Sequence, residues 1–115
     1  LIISSGAMVY NCLQAIKELK KSEFGLLNIS SIKPLNEKAV LNIIRKYNKI
    51  ITVEDHSILG GLGSIISEII AENNLNIKYK IHGIKTGFID SDIPSELEKR
   101  YHMDIKSLVK IFNKF

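Results

Sequence analysis

The sequence lacks several features that define whole classes of protein. It contains one cysteine, Cys12, among 115 residues. A single cysteine excludes an intramolecular disulfide, and it favours a reducing, cytoplasmic compartment. No run of about 18 uncharged apolar residues is present, so we expect no conventional membrane-spanning helix. Apolar residues make up 45% and charged residues 24% of the chain, values that exclude intrinsic disorder and collagen.

Acidic residues are fewer than basic ones, 12 against 16, which gives a formal net charge of +4. A basic chain invites a nucleic-acid interpretation. All the basic residues except Arg45 and Arg100 are lysine, however, and arginine is the residue that reads bases and phosphates bidentately. The lysines are also scattered along the sequence rather than clustered. We therefore predict neither a nucleic-acid partner nor a membrane partner.

The length fits one domain that is able to bury about two-thirds of its unfolded surface. The sequence opens at Leu1 with an apolar strand, and no secretory signal pattern is visible. We expect residues 1–115 to form a single domain that is a fragment or subunit of a larger enzyme.

Apolar runs and helical spacing alternate along the sequence. The pattern predicts strands at residues 1–5, 24–29, 49–54 and 77–84, helices at 7–22, 37–47 and 64–73, a loop at 83–91, and two further helices. Asn36, Asp92 and Asp104 are good N-caps for the second, fourth and fifth helices. The third strand suits the middle of a sheet and the last strand suits an edge. This order predicts an α/β fold of three layers, with a mostly parallel sheet of four to five strands and helices on both faces.

One segment, residues 53–64, concentrates acidic residues, a histidine and glycines where the third strand gives way to a helix. Ligands bind at the carboxyl ends of strands in open parallel sheets, and exposed N–H groups at a helix N-terminus can hold an anion. The glycine spacing fits neither a dinucleotide fingerprint nor a P-loop. Tight helix–sheet packing around a turn would explain the same residues. The candidate interface or anion site consists of Glu54, Asp55, His56, Gly60, Gly61, Gly63 and Ser64.

The histidines and the cysteine give weaker signals. A metal site needs three or four convergent ligands, whereas His82 and His102 lie in other elements than His56. We therefore predict that His56 is a structural hydrogen-bonding or interface residue. Cys12 has no helix N-terminus or basic neighbour to lower its pKa, which predicts a buried core thiol.

Taken in order, five motifs resemble the C-terminal domain of transketolase, a domain shared with 1-deoxyxylulose-5-phosphate synthase and the beta subunits of 2-oxoacid dehydrogenases. The matching segments are residues 6–10, 32–35, 53–68, 83–88 and 91–101. Thr86, Asp92 and His102 stand where the family usually has aspartate, glycine and glycine. Glycine at the last position suits a left-handed helix end, which histidine adopts at a cost. These differences indicate a divergent member.

The resemblance implies an enzyme that uses thiamine diphosphate and magnesium to transfer two-carbon ketol units between sugar phosphates. It also implies that the cofactor lies between the two other domains, so this domain would hold no catalytic, cofactor-binding or metal residue. Consistent with that division, the sequence has no Gly-Asp-Gly motif for magnesium diphosphate. The expected partners are a second copy, giving a homodimer, or the missing N-terminal and middle domains.

Two alternatives remain open at this point. A stand-alone module could bind an anion or nucleotide through the turn at Gly60–Gly63. A purely structural or interaction module would bind no ligand, and an exposed apolar patch on the domain would be its mark.

Overall fold

The computed structural model describes residues 1–21, 23–85 and 91–115, and within them the predicted order of elements is confirmed. The strands are β1 (Ile2–Ser4), β2 (Leu26–Asn28), β3 (Lys49–Ser57) and β4 (Lys78–Ile84). The helices are α1 (Met8–Leu19), α2 (Glu37–Ile44), α3 (Leu62–Glu72), α4 (Pro94–Arg100) and α5 (Ile105–Lys114). Ser22, where we expected α1 to end, and most of the predicted loop at 83–91 lie outside the described residues.

All pairings between the described strands are parallel, and the sheet order is β2-β1-β3-β4. β3 therefore lies inside the sheet and β4 at its edge, as the sequence patterns predicted. The interior position of β3 explains its composition, because residues 50–54 are all buried and must suit an environment with protein on both faces.

Successive side chains of β1 and β3 enter two separate cores on opposite faces of the sheet. Ile3 and Ile50 pack with α2 and α3 on one face. Ile2 and Ile51 pack with α1 and α5 on the other. The alternation follows from the two-residue period of a strand. The predicted three-layer α/β architecture, with helices on both faces, is therefore confirmed with four described strands.

Several element boundaries differ from the predictions. α1 ends at Leu19, because Lys20 adopts a left-handed conformation with φ of 52°. β2 and α2 are shorter than predicted, and α2 ends at Ile44 rather than near Tyr47. β3 is longer: it continues to Ser57 through a shift in its pairing register with β4 after Val53. The polar residues that suggested its end lie within this irregular extension.

The helix caps are confirmed at two of three positions. The Asn36 side chain accepts a hydrogen bond from Ala39 N, and that of Asp104 accepts one from Ser107 N. The prediction for Asp92 is wrong, because the N-cap of α4 is Ile93 and Pro94 occupies its first turn. The Asp92 carboxylate instead accepts hydrogen bonds from Ile93 N at 2.8 Å and Arg100 Nη2 at 3.0 Å.

His102 follows α4 with a φ of 58°, so it takes up the left-handed conformation expected at this position. Histidine pays a steric cost there that glycine would avoid. In the part of the chain that the structure describes, no helix has the length and apolar character needed to cross a membrane.

Candidate functional site

The Glu54 side chain is the centre of the turn between β3 and α3. It is 1% exposed, and its carboxylate accepts hydrogen bonds from Leu62 N (Oε2, 2.8 Å) and Gly63 N (Oε1, 3.0 Å). These amides belong to the first turn of α3, whose N–H groups have no partner within the helix. The carboxylate also lies at the positive end of the helix dipole. Glu54 thus caps α3 from the neighbouring strand.

The glycines of the turn allow this close approach. A Cβ on Gly61 would overlap Glu54 Oε2, and one on Gly63 would overlap Ile81 Cγ2 and approach Glu54 Oε1 to 2.9 Å. Gly60 meets a different requirement, because its φ is 74° and no heavy atom lies near its missing Cβ. Two of the three candidate glycines therefore serve packing against Glu54, and the third serves the backbone conformation.

Ser64 closes the turn from inside α3. Its hydroxyl oxygen accepts a hydrogen bond from Gly60 N at 2.9 Å, and its O–H donates to Ile58 O at 3.3 Å. The amides of Leu62 and Gly63 are already bonded to Glu54, so an external anion would compete with a buried carboxylate for them. This geometry favours packing or an interface over an anion site.

Asp55 and His56 leave the core directly after Glu54. Both are exposed, and His56 Nδ1 lies 2.9 Å from Asp55 Oδ1. This contact orients the imidazole outward from the end of β3. The structure thus divides the predicted cluster of three: Glu54 points inward, whereas Asp55 and His56 present polar groups at the surface.

The other histidines form a separate contact. His82 Nε2 lies 2.9 Å from the backbone oxygen of His102. Burial lowers the pKa of His82, and Lys80 and His102 add to this effect, while the backbone contact opposes it. Within residues 1–21, 23–85 and 91–115, no group of three His, Cys, Asp or Glu side chains could hold a metal ion.

Cys12 is a core residue, as predicted. It is fully buried within the core beneath α1, and burial raises the pKa of its thiol to about 12. A thiol with such a pKa forms little nucleophilic thiolate near neutral pH.

The sequence reasoning did not single out three exposed apolar side chains at the carboxyl end of the sheet. Tyr10 is 64% exposed, Leu59 66% and Ile93 61%. They lie in the first turn of α1, the β3–α3 turn and the N-cap of α4, which follow three parallel strands and so share one edge. We call these three residues the strand-end surface. Tyr10 could have been found, because it lies outside the helical spacing of the buried residues of α1.

A small apolar groove at the same edge adjoins the start of α1. Its volume is about 280 Å³, and its lining includes Met8, Ile84, Pro94, Leu97 and the exposed Asp55. The groove brings the start of α4 close to the start of α1. Apolar side chains and polar groups of the candidate cluster are therefore available together at the carboxyl end of the sheet.

The described fold defines a parallel, three-layer α/β domain with a glycine-rich turn closed by a buried carboxylate. A family model described as "Transketolase, C-terminal domain" matches residues 1–108. The match extends over nearly the whole chain, and the chain belongs to this family.

Two curated relatives agree with this assignment. The chain is 36% identical over 113 residues to 1-deoxy-D-xylulose-5-phosphate synthase of Halothermothrix orenii, and covers 96% of itself but 18% of that protein. It is 32% identical over 113 residues to one of the polypeptides of apulose-4-phosphate transketolase of Actinobacillus succinogenes, covering 96% of itself and 36% of that polypeptide. The chain thus spans about a fifth to a third of the length of these relatives.

A solved structure confirms the fold. A chain described as a split gene transketolase, inactive beta4 tetramer, superposes with a TM-score of 0.83 at 27% identity. The superposition covers 98% of this chain and 37% of that one.

Proposed function

We propose that this chain is the C-terminal assembly domain of a thiamine-diphosphate-dependent, transketolase-like enzyme that transfers two-carbon ketol units between sugar phosphates. The strand-end surface carries the proposal. Three large apolar side chains, each more than 60% exposed, lie at one edge of a domain whose core is otherwise complete. Their exposure costs solvation free energy that contact with another protein surface would recover.

The occupant we propose for the strand-end surface is the part of the enzyme that this chain lacks. The relatives are about three to five times longer than the segment that matches. The neighbour's description as a split-gene tetramer supports assembly from separate chains and self-association of the completed enzyme, for which we propose a homodimer. Asp55 and His56, exposed beside Leu59, would supply polar contacts at the rim of this interface.

The described residues do not fit a magnesium diphosphate site. They include no metal-ligating cluster, and Glu54 is buried against two amides of its own chain. We propose that the other domains hold thiamine diphosphate and magnesium, and that this domain fixes their arrangement without touching the reacting atoms. A cytoplasmic location is part of the proposal, supported by the lone, buried Cys12 thiol.

The test is reconstitution from two polypeptides, this chain and one that carries the missing domains of the same enzyme. Calorimetry would measure thiamine diphosphate binding, sedimentation would measure association, and a coupled assay would measure ketol transfer. We expect no cofactor binding by this chain alone, and both association and activity after mixing. Tight stoichiometric cofactor binding by this chain alone would refute the proposal, as would mixing without association.

A further inference from the structure

A second surface, at the opposite side of β4, has a different chemistry. A groove of about 650 Å³ runs along β4 and α5, and its lining includes the cationic side chains of Lys80, Lys85, Arg100 and Lys110. We call this the basic groove. No aspartate or glutamate occurs among the described residues that line it. Lysines that are scattered in the sequence are thus brought together by the fold.

The argument depends on the three lysines rather than on Arg100. Arg100 Nη2 donates a hydrogen bond to Asp92 Oδ2 at 3.0 Å, so its charge is partly neutralised. Lys80, Lys85 and Lys110 are exposed and form no ion pair with any residue that the structure describes. Three unneutralised cations along one groove produce a local positive potential that attracts anions.

The wall of the groove at β4 is an open edge of the sheet. Lys78 N donates to Asn48 O at 2.9 Å, and Ile84 O accepts from Ile58 N at 3.0 Å. Residues 78 and 84 therefore direct their backbone groups toward β3, as do the even-numbered residues between them. By alternation along the strand, the N–H and C=O groups of Tyr79, Ile81 and Gly83 point away from the sheet. An edge of this kind can pair with another extended chain.

The lysines decide which chain can pair there. A second copy of β4 would bring like charges together, and lysine on edge strands is a common device against such self-pairing. An extended segment with acidic side chains would instead gain from the same charges and satisfy the open backbone groups of β4. Duplex nucleic acid or a lipid surface could use the charges but could not form strand hydrogen bonds with Tyr79, Ile81 and Gly83.

We propose that the basic groove and the open edge of β4 bind an extended acidic segment of a partner protein, which adds a strand to the sheet beside β4. This mode of recognition takes affinity from main-chain hydrogen bonds and specificity from side-chain contacts. The surface is separate from the strand-end surface, so this inference does not depend on the proposed catalytic assembly.

The test uses a fluorescent peptide as long as β4, with alternating glutamate and valine, added to this chain at low salt. A control peptide of the same charge carries proline at two valine positions, which removes backbone donors needed for strand pairing. The variant Lys80→Glu/Lys110→Glu reverses two groove charges. The matched variant Lys17→Glu/Lys38→Glu makes the same change in net charge on exposed positions of α1 and α2.

We expect saturable binding of the first peptide, with slower amide exchange at Tyr79, Ile81 and Gly83. The proline peptide should bind at least about tenfold more weakly, as should the first peptide to the groove variant, while the matched variant stays within about twofold of the wild type. Equal binding of both peptides would overturn the proposal, because charge alone would then explain it. Absence of binding, or tighter binding of duplex DNA or phosphatidylserine vesicles than of the first peptide, would also overturn it.

Discussion

Glu54 and Asp55 are neighbours on β3, yet they have opposite environments. The Glu54 carboxylate is buried and accepts two hydrogen bonds from the start of α3. The Asp55 carboxylate is exposed and contacts only His56 among the side chains described. A buried acceptor is expensive to disturb because its amide donors lose their only partner, whereas water can replace a contact at the surface. The comparison separates residues that hold the domain together from residues that are available to another molecule.

The largest effect should come from Glu54→Gln. The amide keeps one acceptor oxygen but places its NH₂ group against an N–H donor, so one buried amide of α3 loses its hydrogen bond. We expect the free energy of unfolding to fall by about 2–4 kcal/mol. Urea denaturation followed by circular dichroism measures this change. Asp55→Asn is the matched control, with an expected change below about 0.5 kcal/mol. Equal losses in the two variants would contradict the distinction drawn between these carboxylates.

Gly63→Ala should have the next largest effect. The added methyl group would overlap Ile81 Cγ2 and crowd Glu54 Oε1. We expect a loss of about 1–3 kcal/mol in the free energy of unfolding, and a larger loss for Gly63→Val. Ala39→Val, at an exposed position of α2, controls for the insertion of a β-branched side chain. Wild-type stability of Gly63→Ala would show that the turn is looser than the described contacts require.

Leu59→Ser should weaken association without unfolding the domain. The Leu59 side chain is 66% exposed, so its removal costs the isolated domain little. We expect about tenfold weaker association with the polypeptide carrying the missing domains, measured by sedimentation, and a stability change below about 0.5 kcal/mol. Glu72→Ser, at the far end of α3, is the control. Unchanged association of Leu59→Ser, Tyr10→Ser and Ile93→Ser would remove the strand-end surface as the interface.

The smallest effect should be a dependence of stability on pH caused by His82. Burial holds the pKa of His82 below its ordinary value of 6.5, so the unfolded state binds the proton more readily than the folded state. Stability from this group is complete above about pH 7.5 and declines as the pH falls through 6.5 toward the folded-state pKa. Denaturation at several pH values should show a shallower decline for His82→Gln than for the wild type. Parallel curves would assign the decline to other groups.

The fold could be predicted because its signals are local. Apolar runs of β-branched residues indicated β1 and β3, and helical spacing indicated α1 and α3, each from a few consecutive residues. The boundaries were less predictable where tertiary contacts decide them. β3 runs three residues further than its apolar pattern because its polar end still pairs with β4 at Ser57.

The role of Glu54 was only partly accessible from the sequence. Its strand parity with Ile50 and Thr52 places it on the face that packs against α3, and this signal could have been read. That both carboxylate oxygens meet amides of Leu62 and Gly63 depends on the path of the turn, which glycine content alone does not determine. The basic groove was out of reach, since Lys80, Lys85 and Lys110 come from separate parts of the chain and meet only after folding.

The bond from Glu54 to the start of α3 also bears on the order of folding. The carboxylate and its two amides are eight and nine residues apart, so the loop that joins them closes with little loss of chain entropy. Pairing of β1 with β3 instead joins residues 49 positions apart. We expect β3, the turn and α3 to become structured early, as a local nucleus onto which β1 later docks. Gly63→Ala would then slow refolding more than it accelerates unfolding.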